Sequence, residues 1–410
     1  MAGTSNKFLT LADISYKSAD VLSNAFGFTK TVNRNYDDRF ARTGAKIGTT
    51  TAMRLPAKFN FTSGSAIAIQ ALNDADMPLT LTTLYQRAFA VDSVDMTMSM
   101  DDFAGRYLNP ALISMAQQVD QDGLNTAVQY FNNAVGTVGT APTTQATVNA
   151  LAQAARTRLV QQLAPEGEEK HLLADPVFMS AGAQYNVNVF NNQGLVSDAN
   201  EMGVLSSMLG FKWRESQLVP AHTVGTYGGS PVVTGTNQSG SSLITSGWTS
   251  GGTTLNAGDV FTIQNVYDVN DVTKVAYPYL KQFTVTQTVS DTSGAITIAI
   301  SPAIVGPGDP RQNVSVLPTT SDTITVFGAS AATTQYALAY HKNAIVFGTA
   351  DLDIPMDGAT GYRASVPELD LSVRVVKQFD IRSNQNLMRI DLLGGWAPLY
   401  PQLGVKLATS

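Results

Sequence analysis

The sequence predicts an α+β protein that carries an inserted all-β domain. Three observations support this prediction. Residues 109–136 have the length and periodicity of one long helix, and residues 145–220 alternate between helical and strand-like patterns. Residues 221–331 are rich in Gly, Ser, Thr and Val and break into short strand-like runs. Because mixed α and β character returns after residue 331, we interpret the β-rich stretch as an insertion.

The composition favours a protein that buries much of its surface. The chain has 410 residues, of which 44% are hydrophobic and only 14% charged, and its net charge is −6. A chain of this length can hold two or three cores, and low charge favours packing against neighbouring copies. The acidic balance argues against a protein whose main task is to grip nucleic-acid phosphates. The absence of cysteine excludes disulfides, thiolate catalysis and cysteine-ligated zinc.

The first 60 residues form a basic arm, with nine Lys and Arg against four Asp. Such an arm suits an acidic surface of its own chain or of a neighbouring copy, and a solvated basic face is the plainer alternative. The sequence has neither a secretory signal pattern nor a run of about eighteen apolar residues, so we expect no membrane association. Within the arm, the apolar spacing of residues 11–26 predicts a short helix.

From residue 44 to residue 100 the chain is rich in β-branched and aromatic residues, with turn residues between the runs. This pattern predicts an extended β-ribbon that cannot bury its own surface. The long helix follows, with Asn109 as N-cap, Pro110 at the first helical position and Gly136 as the stop. An ordinary core helix is the alternative interpretation of residues 109–136.

Further elements are predicted after the long helix. Residues 146–163 predict an amphipathic helix, residues 170–174 a buried strand, and Asp175-Pro176 the start of another helix. Residues 200–220 predict a turn, a short apolar helix, a glycine and a strand. In the β-rich stretch we predict strands at Pro231–Thr234, Ser242–Thr245, Val260–Val266, Gln282–Val289, Ala295–Ile300 and Thr323–Phe327, as in a small barrel or sandwich. The final strands are predicted within residues 336–348, 369–380 and 386–403.

The sequence contains no recognisable catalytic or metal-binding pattern. The three histidines, His171, His222 and His341, are far apart in sequence without the spacing of metal ligands. The glycine-rich runs at 225–229 and 247–252 lack the lysine of a phosphate-binding loop. Asp101 and Asp102 form an acidic pair, but acidic residues ahead of a helix commonly complement its dipole. We therefore expect no enzyme activity, no cofactor and no metal.

Five stretches carry a resemblance to a known family. They are FLTLADI at 8–14, DDFAGRYLNPALISMAQQV at 101–119, EMGVLSSMLGFKWRESQLVP at 201–220, NAGDVFTIQNV at 256–266, and the closing strands at 366–409. In order and spacing they resemble the major capsid proteins of tailed bacteriophages, which have the Hong Kong 97 fold. Within that fold they resemble the coat-protein family of P-22-like short-tailed phages.

The resemblance implies a division of the chain into the parts of that fold. These are an N-terminal arm at 1–43, an extended E-loop at 44–100, a peripheral domain with the spine helix at 101–145, the first part of an axial domain at 146–220, an inserted β-barrel domain at 221–331, and the completion of the axial and peripheral domains at 332–410. It implies a coat protein that self-assembles into hexamers and pentamers of an icosahedral shell. The shell would enclose double-stranded DNA without sequence-specific binding.

The same resemblance implies partners and a location. A scaffolding protein and a portal would take part in assembly in the host cytoplasm, a decoration protein is compatible with it, and the product would reside in the virion. Charged residues of the arm, the ribbon and the acidic pair are the candidates for contacts between copies: Arg34, Arg39, Arg42, Arg54, Lys58, Asp101 and Asp102.

Two alternatives stay open on the sequence. A phage tail or tube protein, or a β-rich surface adhesin, would also suit residues 221–331, although the long helix and the α+β unit speak against it. An enzyme with a β-domain insertion is the second alternative, and the lack of any paired nucleophile, base or ligand set speaks against that.

Overall fold

The computed structural model describes residues 11–34, 50–56, 58, 75–92, 108–142, 144–186, 207–355, 358–366 and 371–409. Within these residues there are four α-helices: α1 Leu11–Ala25, α2 Asn109–Tyr130, α3 Gln145–Gln161 and α4 Pro176–Asn186. Strands make up most of the remaining regular structure, which confirms the predicted α+β class. Among the described helices, none has the length and apolar character needed to cross a membrane.

The strands divide into three groups along the chain. The first group is β1 Thr50–Leu55, β2 Ala75–Thr80, β3 Thr83–Asp92, β4 Asn133–Val135, β5 Lys170–Ala174, β6 Ser207–Met208, β7 Phe211–Glu215 and β8 Ala221–Thr223. The second is β9 Gly229–Val233, β10 Gly240–Trp248, β11 Thr254–Leu255, β12 Val260–Val269, β13 Ala276–Val285, β14 Val289–Ser290, β15 Ile296–Ile304 and β16 Ile324–Val326. The third is β17 Thr333–His341, β18 Ile345–Ala350, β19 Thr360–Val366, β20 Leu371–Asp380, β21 Gln385–Pro398 and β22 Gly404–Ala408.

The described residues divide into two compact units. The first is drawn from residues 1–54, 76–123 and 346–397, and the second from residues 55–75, 124–345 and 398–410. In the first unit, β18, β21, β20 and β19 form an antiparallel sheet, and β3 adds to β21 over ten residue pairs. Helix α1 packs on β19 and β20 and confirms the predicted helix. Strands β1 and β2 pair as a separate ribbon in the predicted extended region, but β3, which was predicted as part of the same ribbon, is instead a strand of the first-unit sheet with Tyr85 buried.

In the second unit, one sheet has the order β4-β22-β17-β5-β7-β6, with β8 also paired to β17. The predictions for β5, α3 and α4 are confirmed, because β5 covers the predicted residues and Asp175 precedes α4, where its carboxylate accepts from the Phe178 amide. The predicted strand at 336–348 is interrupted by a 3₁₀ turn at Lys342–Ala344. The predicted short helix within 200–220 lies largely outside the described residues, and its described end is β6, which turns into β7 at Leu209 and Gly210.

The long helix ends earlier than the sequence predicts. Helix α2 stops at Tyr130, whereas we predicted Gly136. Its last carbonyls are bound by other elements, since Val128 O accepts from Lys406 Nζ at 2.8 Å and Gln129 O accepts from Thr284 Oγ1 at 3.1 Å. The chain then enters β4, which pairs in parallel with β22. Gly136 does adopt a positive φ of 95°, but it ends this strand and not the helix.

The β-rich stretch folds as a six-stranded antiparallel sheet with the order β16-β12-β13-β15-β10-β9. An isolated bridge between Val232 and Thr323 brings its two edge strands together. Seventeen buried residues of this stretch form one hydrophobic cluster, in which the Phe261 and Phe283 rings lie 5.9 Å apart. Five predicted strands are confirmed, and the sixth is displaced: β13 ends at Val285, while Val289 belongs to β14, which pairs with β11.

Candidate functional site

The structure describes three of the seven predicted contact residues. Arg39, Arg42, Asp101 and Asp102 lie outside the described residues. Arg34 is half-buried beside Asn33, which forms a parallel bridge with Val346, and Arg54 is exposed on β1.

Lys58 forms an ion pair with Asp271, in the loop after β12, and both side chains are about one-third exposed. Sequence reasoning did not connect these two residues, which are separated by 213 positions. The positive charge of Lys58 is therefore already matched within its own chain. A role of these residues in contacts between copies stays a prediction.

The β1–β2 ribbon buries little of its own surface. No described side chain of β1 is buried, and in β2 only Leu79 is. Leu79 belongs to a small hydrophobic cluster with Leu81, Val346 and Ala397. An antiparallel pair with so few buried side chains has marginal stability by itself, so the exposed face of the ribbon is available to another chain.

The sheet of the first unit carries a groove of about 700 Å³. Beside it, Asp391 is fully buried because two guanidinium groups cover it, Arg374 Nη2 and Arg389 Nε, each 2.5 Å from a carboxylate oxygen. Arg374 also donates to the carbonyl of Asp353 at 2.6 Å. Apolar side chains on the same face of the sheet share the groove with these charges, namely Ala88, Ala90, Val376 and Leu387. The groove thus offers an apolar floor with a charged side to an incoming segment.

The turn between β20 and β21 presents apolar side chains at its tip. Ile381 is 85% exposed and Phe379 is 49% exposed. The turn is held by Asp380, whose carboxylate accepts from the Arg382 amide at 3.0 Å and the Ser383 hydroxyl at 2.8 Å. These hydrogen bonds, that of Ser383 foremost, lower the pKa of Asp380. The hydrogen-bonded turn therefore holds two exposed apolar side chains in a fixed place.

A buried charged junction lies where α2, β8, β12 and β22 meet in the second unit. The Lys406 side chain is fully buried and donates to Val128 O and to Gly258 O, both at 2.8 Å. Asp259, next in sequence to Gly258, accepts from the Gly225 amide at 3.0 Å and from the Asn256 amide at 2.8 Å. The junction therefore joins a helix end, a loop of the six-stranded sheet and a strand of the other sheet.

Two aromatic groups complete this junction. His222 Nε2 lies 2.8 Å from Asp259 Oδ1, and the His222 ring stacks on Tyr336 with centroids 5.9 Å apart. Burial lowers the pKa of Lys406 to about 7, against the opposing effect of Asp259. Burial also raises the pKa of Tyr336, and Asp259 adds to that effect. The one sequence signal for this junction is a lysine within the apolar run GVKLA.

Helix α3 meets the six-stranded sheet through polar groups as well. Asp268 is buried and pairs with Lys281 at 2.8 Å and with Gln162 Nε2 at 2.6 Å. The Arg158 guanidinium lies 3.5 Å from the centre of the Tyr279 ring. Burial raises the pKa of Tyr279 to about 12. Hydrogen bonding and cation–π contact join the sheet to this helix.

Two of the three histidines, although far apart in sequence, are neighbours in the structure. Strands β5 and β17 pair so that His171 faces Tyr340 while His341 faces Lys170. His341 Nε2 lies 2.9 Å from Glu168 Oε2. Burial lowers the pKa of both histidines, that of His171 to about 4. Across the described residues, no group of three or more His, Asp or Glu is placed to hold a metal ion.

Comparison with known families distinguishes the hypotheses left open by the sequence. The model of the family described as P22 coat protein, gene protein 5, matches residues 89–409. The chain belongs to this coat-protein family. It is accordingly a major capsid protein of a bacteriophage, a structural protein of the virion that associates with copies of itself in a shell. The match includes residues 221–331, the region that also suited the tail-protein and adhesin hypotheses.

Solved structures with a similar chain course come from phages. A structure titled Mycobacterium phage Che8 is 12% identical, covers 93% of this chain and 90% of its own, and gives a TM-score of 0.46. The capsid of Cyanophage P-SCSP1u is 12% identical over 92% of this chain and 88% of its own, with a TM-score of 0.47. The mature capsid of bacteriophage PhiM1 is 10% identical over 88% of this chain and 82% of its own, with a TM-score of 0.43. No curated protein sequence matches this chain.

Proposed function

We propose that this coat protein forms hexamers and pentamers that close an icosahedral shell around double-stranded DNA. Membership of the coat-protein family is the observation that carries this proposal. The small charged fraction, 14%, supports it, because a surface poor in charge is suited to burial against neighbouring copies. With a net charge of −6, the chain is expected to enclose DNA without binding a particular sequence.

The proposed fold is of the Hong Kong 97 type, with the domain boundaries predicted from the sequence. The six-stranded sheet is the inserted domain within residues 221–331. Its antiparallel order and the Val232–Thr323 bridge between its edge strands support a closed barrel. The proposed peripheral domain at 101–145 contains α2, and the proposed axial domain draws on residues 146–220 and 332–410.

Within the E-loop at residues 44–100, the β1–β2 ribbon is proposed to lie across a neighbouring copy, whereas β3 of the same segment pairs with β21 of its own chain. The few buried side chains of β1 and β2 support this, because a partner would cover the exposed face. The groove beside Asp391 is the proposed receiving surface, with its apolar floor and its two arginines. Charge complementarity would then set the register between copies. The proposed contact residues are those predicted from the sequence, with Lys58 the weakest of them because Asp271 already pairs with it.

The proposed assembly takes place in the host cytoplasm with a scaffolding protein and a portal. The exposed turn at Phe379 and Ile381 is compatible with a contact to another copy or to a decoration protein. The proposed role is structural, without enzyme activity or cofactor.

Electron microscopy of the expressed protein tests this function. We expect closed isometric shells when the chain is expressed with its neighbouring viral genes, and irregular shells or polyheads when it is expressed alone. Uniform monomers or straight narrow tubes under both conditions would contradict the proposal. A pair of variants tests the predicted contact residues. Arg54→Glu should reduce the fraction of closed shells more than Arg156→Glu, a control that reverses the charge of an exposed residue on α3. An equal effect of both variants would remove Arg54 from the contact set.

A further inference from the structure

The six-stranded sheet is attached to the rest of the second unit through directed polar contacts. Its hydrophobic cluster is formed entirely by its own stretch of chain, from Val224 to Val326. At the end of α2, Thr284 donates to Gln129 O, and the Gln282 side chain exchanges two hydrogen bonds with the backbone of Ala134, at 2.9 and 3.0 Å. We call this set of contacts, together with Lys406, the seam. Hydrogen bonds restrict the orientation of the sheet relative to the end of α2 more narrowly than apolar contacts would, because they weaken steeply with misalignment.

Lys406 holds the centre of the seam. It comes from β22, yet its amine bridges the last turn of α2, at Val128 O, and the loop before β12, at Gly258 O. The last carbonyls of a helix lack partners within the helix, so a donor from another element can satisfy them. The negative end of the helix dipole favours a cation there, but the complete burial of Lys406 opposes the charge and is the larger effect. One side chain from a third element therefore satisfies an acceptor on each of the two parts that the seam joins.

The amine has no carboxylate of its own. The groups around it are Asp259, just before β12, the Tyr336 ring from β17, whose centre lies 5.8 Å from the amine, and His222 from β8, which lies against Asp259. Asp259 already accepts from two backbone amides and lies against His222, so it is shared among several donors. An ammonium has three N–H donors, whereas the neutral amine has two, which is the number of carbonyls that the structure provides. Burying an ion without a dedicated partner is costly.

We propose that Lys406 is a positioning residue that pins the six-stranded sheet to the end of α2, and that it holds the sheet more firmly as a neutral amine than as an ammonium. The lowered pKa of Lys406, about 7 against about 10.4 in an unfolded chain, agrees with this geometry. Between these two values the unfolded state binds the proton that the folded state releases, so stability rises with pH across this window. The raised pKa of Tyr336 opposes this trend only above about pH 10, where an ordinary tyrosine ionises.

Hydrogen exchange of the full-length free protein tests the pin. Exchange at pH 6.5 and at pH 9, corrected for the intrinsic rate, is compared between seam amides at residues 129–134 and amides of β15 inside the six-stranded sheet. In the wild type, protection of the seam relative to β15 should increase severalfold at pH 9. In Lys406→Met, seam exchange should rise about tenfold and this pH dependence should disappear, while β15 keeps its protection.

Lys274→Met is the matched control. Lys274 also donates to two backbone carbonyls, those of Pro310 and Gln312 at 2.8 and 3.3 Å, and burial likewise lowers its pKa, but both carbonyls belong to the same β-rich stretch. Its loss should leave the seam unchanged. Equal exchange increases at the seam and in β15 of Lys406→Met, or an unchanged seam, would overturn the proposal. If that variant does not fold, the wild-type comparison decides, and a seam whose relative protection is the same at both pH values would overturn the proposal.

Discussion

The six-stranded sheet and the β1–β2 ribbon are both antiparallel, yet they are stabilised in opposite ways. The sheet encloses seventeen buried hydrophobic residues of its own, whereas the ribbon contributes Leu79 to a cluster of four buried residues. Fully burying a large apolar side chain contributes about 1.5–3 kcal/mol, so the sheet can offset the entropy of ordering its strands and the ribbon cannot. A single copy therefore completes the core of the sheet, whereas most described side chains of the ribbon stay uncovered in a single copy.

The largest test of this comparison removes an aromatic ring from the sheet. Phe283 is fully buried against Phe261, so Phe283→Ala should lower the free energy of unfolding by about 4 kcal/mol through lost burial and a cavity. Chemical denaturation of the free protein measures this. Ile244→Ala, at a position 50% exposed on β10, is the control and should change stability little. A loss below about 1 kcal/mol for Phe283→Ala would show that the sheet does not depend on its own core.

The polar attachment of the sheet gives the second effect. Asp268→Ala leaves the buried Lys281 ammonium without its partner, and we expect a loss of about 3 kcal/mol. The double variant Asp268→Leu with Lys281→Met removes both charges, so it should recover most of that loss. Denaturation curves measure both variants. If the double variant is as unstable as Asp268→Ala, the pair contributes through its packing and the hydrogen bond from Gln162, and not through charge balance.

The ribbon provides the third test. Leu79→Ala removes the one fully buried side chain of β2, and we expect a loss of about 2 kcal/mol in the free chain, at the low end for such a change because the cluster is small. Met77→Ala, on the same strand and partly exposed, should have a smaller effect. A loss as large as that of Phe283→Ala would erase the difference between the two regions.

The smallest effect concerns the contact between Lys58 and the loop of the sheet. Lys58→Ala should lower stability by about 0.5 kcal/mol, because both partners are about one-third exposed and solvent screens the pair. Asp271→Ala should give the same value, and added salt should reduce both. Stability that drops by several kcal/mol would instead indicate that this pair holds the segment after β1 in place.

Local patterns predicted the elements whose determinants are adjacent in sequence. The strand Lys170–Ala174 and the helix after Asp175 follow from an apolar run and an N-cap next to a proline. The predicted end of α2 was wrong because the last carbonyls of the helix accept hydrogen bonds from Thr284 and Lys406. These two residues lie 155 and 278 positions away from the carbonyls they bind. Periodicity carries no information about such distant partners.

Distant partners also limited what the sequence could predict about the functional regions. The capsid family was identified from the order of several stretches, and the family match over residues 89–409 confirmed it. The buried junction was missed, although a lysine inside GVKLA was visible, because only the fold brings Asp259, His222 and Tyr336 to that strand. Likewise His171 and His341 become neighbours through the pairing of β5 with β17, across 170 residues of sequence.

Hydrogen exchange measured on the free protein and on assembled shells tests the central claim most directly. We predict that amides of the six-stranded sheet have the same protection in both states, since one chain completes that core. Amides of β1 and β2 should exchange rapidly in the free protein and become strongly protected in the shell, because a neighbouring copy then covers the ribbon. Equal protection of the ribbon in both states, or a sheet that gains its protection only on assembly, would contradict the account.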